Sequence, residues 1–191
     1  MKIDNYELLR QLCAIHAPSG NESAMTEFLV NYIATERKNW KKTPEIYHGE
    51  NFQNCIVLVF GNPKTAVYAH IDSIGFTARY DNELVKIGYP KCSDGYQLKG
   101  SDSSGSFICS LLCDPEDGLS AQLDRIIDPG TDLTFEMNFR ESKTTVQSCY
   151  LDNRLGVFVA LKLAETMENG AIVFSCWEER SEEHTSELQS H

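Results

Sequence analysis

Apolar residues along the chain repeat at two different periods, and the switches between them divide it into parts. Leu8, Leu9, Leu12 and Ile15 recur at helical spacing, and HAPSG then breaks the pattern with Pro18 and Gly20. Ser19 and Glu22 have the S-x-x-E spacing with which a hydroxyl and a carboxylate satisfy backbone N–H groups at a helix start. The helix expected after them carries Met25, Phe28, Leu29, Tyr32 and Ile33 on one stripe. EIYHGE, NCIVLVFG and TAVYAHID read as strands, the last two divided by the turn GNPK. Helices followed by apolar strands predict an α/β layer architecture.

From about Gly75 to Ser148 the texture changes. Short alternating runs (GFTARY, ELVKIG, SFICSLLC, LTFEMNF) are separated by Gly, Ser, Asp and Pro clusters, the signature of a small β-barrel or sandwich. Beyond it, Leu155, Val159, Leu163 and Met167 line a predicted helix ending at ENG, with Gly170 as its stop. AIVFSCW is apolar throughout, as expected for a central parallel strand covered on both faces. The reading is an α/β domain with a three-layer arrangement of sheet and helices, formed by 1–75 and 148–179 and interrupted by a β module at 76–147.

Composition narrows the function classes. A net charge of −11 lacks the basic face that nucleic-acid binding needs. No stretch approaches the roughly 18 to 20 apolar residues of a membrane span. MKIDNYELLRQL has no basic segment leading into an apolar one, so no secretory signal is expected. Seven cysteines form no C-x-x-C pair and fall mostly in apolar runs. They are expected to be reduced core thiols in a cytoplasmic chain rather than a zinc-binding set.

Three places combine a strand end with metal-type ligands. In AHID, His70 and Asp72 point to the same side of a strand, so the imidazole could bind a metal while Asp72 holds its other nitrogen. The plain alternative is a surface His beside a turn Asp. In YLDNR, Asp152 enters a helix, either as a simple N-cap or as a carboxylate bridging two cations. Glu178 and Glu179 follow AIVFSCW; adjacent strand residues face opposite ways, so both can enter one site only where the backbone turns. One could then ligate a metal while the other takes a proton from water, or the pair could be a solvated strand end.

In this order, His-x-Asp, Asp-Asn-Arg-x-Gly before a helix, and an apolar strand plus Glu-Glu resemble the M42 family of metal-dependent aminopeptidases. LLRQLCAIHAPSGNE is similar to the family's Pro-Ser-Gly-x-Glu segment, and AHIDSIGF to its His-x-Asp-x-Ile-Gly-Phe. The resemblance covers about 1–179 and implies a metallopeptidase-type α/β fold with two divalent ions, zinc or cobalt, and a peptide substrate. It implies that His70 binds one ion, Glu179 the other, and Asp152 both, with Glu178 as general base and Asp72 orienting His70. It also implies homo-oligomers assembled through the β module. Asn153 departs from the pattern, where the family more often has Asp. The alternatives are a dipeptidase or N-acyl amino acid hydrolase on the same metals, or a non-catalytic assembly module.

The polar run RSEEHTSELQSH at 180–191 resembles a translated sequencing adapter, and is expected to be a non-native tail. On that reading the chain is the N-terminal part of an enzyme. His184 and His191 then do not count as ligands, each ion lacks a protein ligand, and the chain by itself is expected to be inactive. AIVFSCW is also expected to be left as an aggregation-prone edge.

Overall fold

The computed structural model describes residues 6–115 and 118–180. The helices α1 (Glu7–Ala14) and α2 (Ser23–Glu36) lead into strands β1 (Glu45–Tyr47), β2 (Ile56–Phe60) and β3 (Ala66–His70). Six strands follow: β4 (Gly75–Ala78), β5 (Leu84–Ile87), β6 (Gln97–Asp102), β7 (Gly105–Asp114), β8 (Gly118–Gln122) and β9 (Asp132–Phe135). After a small hairpin of β10 (Arg140–Glu141) and β11 (Val146–Gln147), the chain returns through α3 (Leu151–Ala164) and β12 (Gly170–Ser175). The fold is α/β, with the helices on one sheet and a second, barrel-like sheet. Among the described residues, no helix is long and apolar enough to cross a membrane.

The first sheet has the order β1-β2-β12-β3. β12 is central as expected, but it is parallel only to β3 and antiparallel to β2. The reason is local. β2 and β3 are joined by the short GNPK turn and run in opposite directions, so a strand inserted between them must oppose one. The expected bare edge is therefore not β12, which has a partner on each side. The strands at the ends of the sheet are β1 and β3, and Tyr68 on β3 is 69% exposed.

One pleat face of this sheet (Ile56, Leu58, Phe60, Ile172 and Phe174) shares a core with Met25, Leu29 and Ile33 of α2. Val157, Ala160 and Leu161 of α3 join the same core. Val57, Val59 and Val173 on the opposite face are half-buried.

Three local expectations are corrected. Ser19 does not cap α2; the helix begins at Ser23, and the Glu22 carboxylate instead accepts the N–H of Gly20 at 2.7 Å. The buried side of α3 is Arg154, Val157, Ala160, Leu161 and Ala164, while Leu155, Val159 and Leu163 are exposed. Both stripes have helical period, and only contact with the sheet selects between them. α3 also ends at Ala164, and Gly170 opens β12 rather than stopping the helix.

The second sheet has the order β5-β4-β9-β6-β7-β8. It curls until its two end strands approach at the Glu83–Ser120 bridge, which makes a nearly closed barrel. Phe76, Leu98, Leu111, Ile127 and Leu133 fill a core separate from that of the first sheet.

Candidate metal centre

The parallel pair β3 and β12 positions the site. Their carboxyl ends lie side by side, with Ser175 in register with His70, and such ends are where open α/β sheets form sites. β12 stops at Ser175, and Trp177 takes a left-handed backbone with φ of 65°. That reversal cancels the strand alternation and lets Glu178 and Glu179 face one point.

A ring nitrogen of His70, a Glu178 oxygen and a Glu179 oxygen lie within 4.8 Å of one another. Glu178 Oε2 is 3.6 Å from His70 Nε2, and Asp152 Oδ1 approaches the same nitrogen at 3.3 Å. Asp152 is no N-cap. Tyr150 holds that place, and Asp152 has non-helical backbone angles that aim its carboxylate at His70. The Asp152–Asn153 peptide is cis. On the other side of the ring, Asp72 is fully buried, and its Oδ1 is 3.4 Å from His70 Nδ1 without hydrogen-bond geometry. Asp72 Oδ2 accepts the Glu179 N–H at 3.1 Å, which ties the end of β3 to the Glu-Glu turn. Every site residue expected from the sequence is therefore in one cluster.

The electrostatics are those of crowded carboxylates. Burial alone would lower the His70 pKa, but Asp72, Glu178 and Asp152 outweigh it and raise the value to about 9. Burial raises Glu179 to about 7, reinforced by Asp72, Glu178 and Asp152 and opposed by His70. Burial also works against the Asp72 carboxylate, yet His70 and the Glu179 N–H hold it below its ordinary value.

Two participants were not expected. Arg154 is completely buried behind the site, donates from Nη1 to the Ile71 carbonyl, and lies near enough to Asp72 and Glu179 to feel their charge. Burial lowers its pKa to about 10, against the pull of those groups. A signal existed: Arg154, Val157 and Leu161 share one helical face, so an arginine stands on a core stripe. Gly88 follows β5 with φ of +69°, and a Cβ there would lie 3.3 Å from Glu179 Oε2 and 2.9 Å from Ile74 Cγ2. A cavity of about 280 Å³ lined by Ile74, Tyr89, Tyr150, Asp152 and Glu179 opens beside the cluster.

One imidazole nitrogen and several carboxylate oxygens converging in a half-buried anionic site suit a divalent cation, which would offset the mutual repulsion. Nε2 of His70 faces Asp152 and Glu178 while Nδ1 lies 3.4 Å from Asp72, an arrangement that suits a metal-binding histidine once Nε2 has given up its proton.

No family model matches the sequence, and no curated protein matches it. Solved structures do share the fold. An aminopeptidase from the archaeon Desulfurococcus kamchatkensis superposes with a TM-score of 0.76 at 18% identity, over 92% of this chain and 56% of that one. The TET1 peptidase of Pyrococcus horikoshii, which can assemble into a tetrahedron or a large octahedral shell, gives 0.69 at 17% identity, over 98% and 66%. An endoglucanase from Thermotoga maritima gives 0.68 at 15% identity, over 95% and 62%. The chain thus spans 56% to 66% of the length of these proteins.

Proposed function

We propose that this chain carries the N-terminal part of a metal-dependent aminopeptidase of the M42 type. The observation behind the proposal is the convergence of His70, Glu178 and Glu179 within 4.8 Å, with Asp152 beside them, in a fold shared with aminopeptidases. An imidazole in contact with three carboxylates also favours metal-assisted hydrolysis over glycoside hydrolysis, which uses two carboxyl groups spaced to flank a sugar.

His70, Asp152 and Glu179 would hold two divalent ions, zinc or cobalt, with Asp152 shared. When bound, the ions supply Lewis acidity and a nucleophile at neutral pH. Glu178 takes the proton of the attacking water and passes it to the leaving amine. Asp72 keeps His70 in the productive tautomer, and its bond from the Glu179 N–H keeps the turn in register with β3. The carboxylates attract the protonated amino terminus of a peptide, which makes the terminal bond the one presented. By the same resemblance, the barrel at 76–147 carries self-association.

The test is zinc titration of residues 1–191, together with peptide hydrolysis by the protein extended by the sequence that follows Glu179 in its gene. The short chain should bind zinc weakly and hydrolyse nothing. The extended protein should bind two ions and release amino-terminal residues. Glu178→Gln in it should keep the metal and lose about 10²-fold or more in kcat. Near-normal turnover in that variant would remove Glu178 from the base role.

A further inference from the structure

A second cavity of about 1100 Å³ runs between α1, the loop after β5 and the segment after β9. It shares Ile74, Tyr89 and Tyr150 with the small cavity at the carboxylate cluster, so the two adjoin along one side of the molecule. Its volume slightly exceeds the ~300–1,000 Å³ usual for small-ligand sites, which is room for several residues of a peptide. Tyr96, Phe135, Phe139 and Tyr150 give it aromatic walls.

The charge on this cleft is opposite at its two ends. The near end holds Asp152 and Glu179. The far part is lined by Arg10, Lys91 and Arg140 against one carboxylate, Glu136, in a chain with a net charge of −11. Arg10 is already engaged, paired with Glu141 at 3.2 Å and stacked over Phe139 at 4.3 Å. Lys91 has no ion-pair partner among the described residues, and Arg140 makes only a 3.2 Å bond from Nε to Asn138.

We infer that this cleft binds short peptides end to end, with the amino group at the carboxylate cluster and the free C-terminal carboxylate against Lys91 and Arg140. Apolar or aromatic side chains between the termini lie on the tyrosine and phenylalanine walls. The inference rests on the aminopeptidase reading for the direction of the peptide. It adds a specificity: a free C-terminal carboxylate, read by Lys91 and Arg140. Lys91 and Arg140 act as specificity residues and touch no reacting atom.

The experiment is calorimetric binding of alanyl-phenylalanyl-alanine and of its C-terminal amide to residues 1–191 in the presence of a chelator. The acid should bind at least about tenfold more tightly than the amide, because a charge-assisted contact is lost in the amide. The Lys91→Gln/Arg140→Gln double variant should bring the two affinities together. Both positions are exposed, so the double variant should fold. Lys91→Arg, which keeps the charge, should retain the preference. Equal affinity of acid and amide in the unmodified chain, no measurable binding of the acid, or a preference that survives the double variant would overturn the inference. Because no metal is present, the result is independent of hydrolysis. A preference for the acid in a protein that binds no zinc would strike the aminopeptidase reading alone.

Discussion

His16 lies between the end of α1 and the barrel, with Nδ1 2.9 Å from Thr134 Oγ1. Burial lowers its pKa below the ordinary 6.5, Lys99 adds to this, and Asp132 opposes it. The sign of the linkage follows. Below pH 6.5 the unfolded chain binds the proton more readily than the folded one, so stability falls with pH from there down to the folded-state value. Urea midpoints measured from about pH 7.5 to about pH 5 should fall in the lower half of that range, and His16→Gln should flatten that part of the curve. An identical slope in the variant would show that His16 does not titrate with folding. At the candidate metal centre, His-x-Asp and Glu-Glu were readable as residues because residue types and spacing are local properties. Arg154 was not read, because its burial depends on which face of α3 meets the sheet.

At the scale of elements, the segment after β5 supports the Glu-Glu turn from the barrel side. Gly88 is the point of contact, since its positive φ and the nearness of Ile74 and Glu179 leave no room for a side chain. Gly88→Ala should cost about 1–2 kcal/mol from the left-handed backbone alone, more if Ile74 has to move. Denaturation by urea reads the first effect. Zinc titration reads the second, a weaker affinity as Glu179 is displaced. Unchanged stability and unchanged affinity would mean that the contact is slack. The runs that gave β4, β5, β7 and β9 were legible by alternation. β6 (QLKGSD) and β8 (GLSAQ) were not, because their polar and glycine positions pair with neighbours instead of filling a core by themselves. Leu155, Val159 and Leu163 misled for the reverse reason: an apolar stripe of correct period that this chain leaves exposed.

For the molecule as a whole, the edge strands of the first sheet are β1 and β3, not β12, and β3 carries the exposed Tyr68. An edge strand, with one side unpaired and an exposed aromatic side chain, is a template for association. Tyr68→Lys places a charge on that edge and should slow aggregation, as followed by light scattering. At an exposed position it should change stability by no more than about 0.5 kcal/mol. Aggregation at the original rate would direct attention to the half-buried Val57, Val59 and Val173 on the open face of the sheet. Of the expected tail, Arg180 alone is described, with its guanidinium 5.4 Å over the Trp177 ring. His184 and His191 lie outside the described residues.

Sequence alone determined what depends on near neighbours: two helices before the strands, a change of period where the barrel begins, and three motifs of ligand-type residues at strand or helix ends. Each rests on side-chain spacing or turn chemistry within a few residues. Tertiary structure decided what depends on partners far along the chain. It set β12 between β2 and β3, chose the buried face of α3, curled six strands into a nearly closed barrel, and brought Gly88 and Arg154 up to the Glu-Glu turn. The three motifs are separated by up to 109 positions, from His70 to Glu179, and the meeting of His70, Glu178 and Glu179 within 4.8 Å of one another follows from the parallel register of two strands.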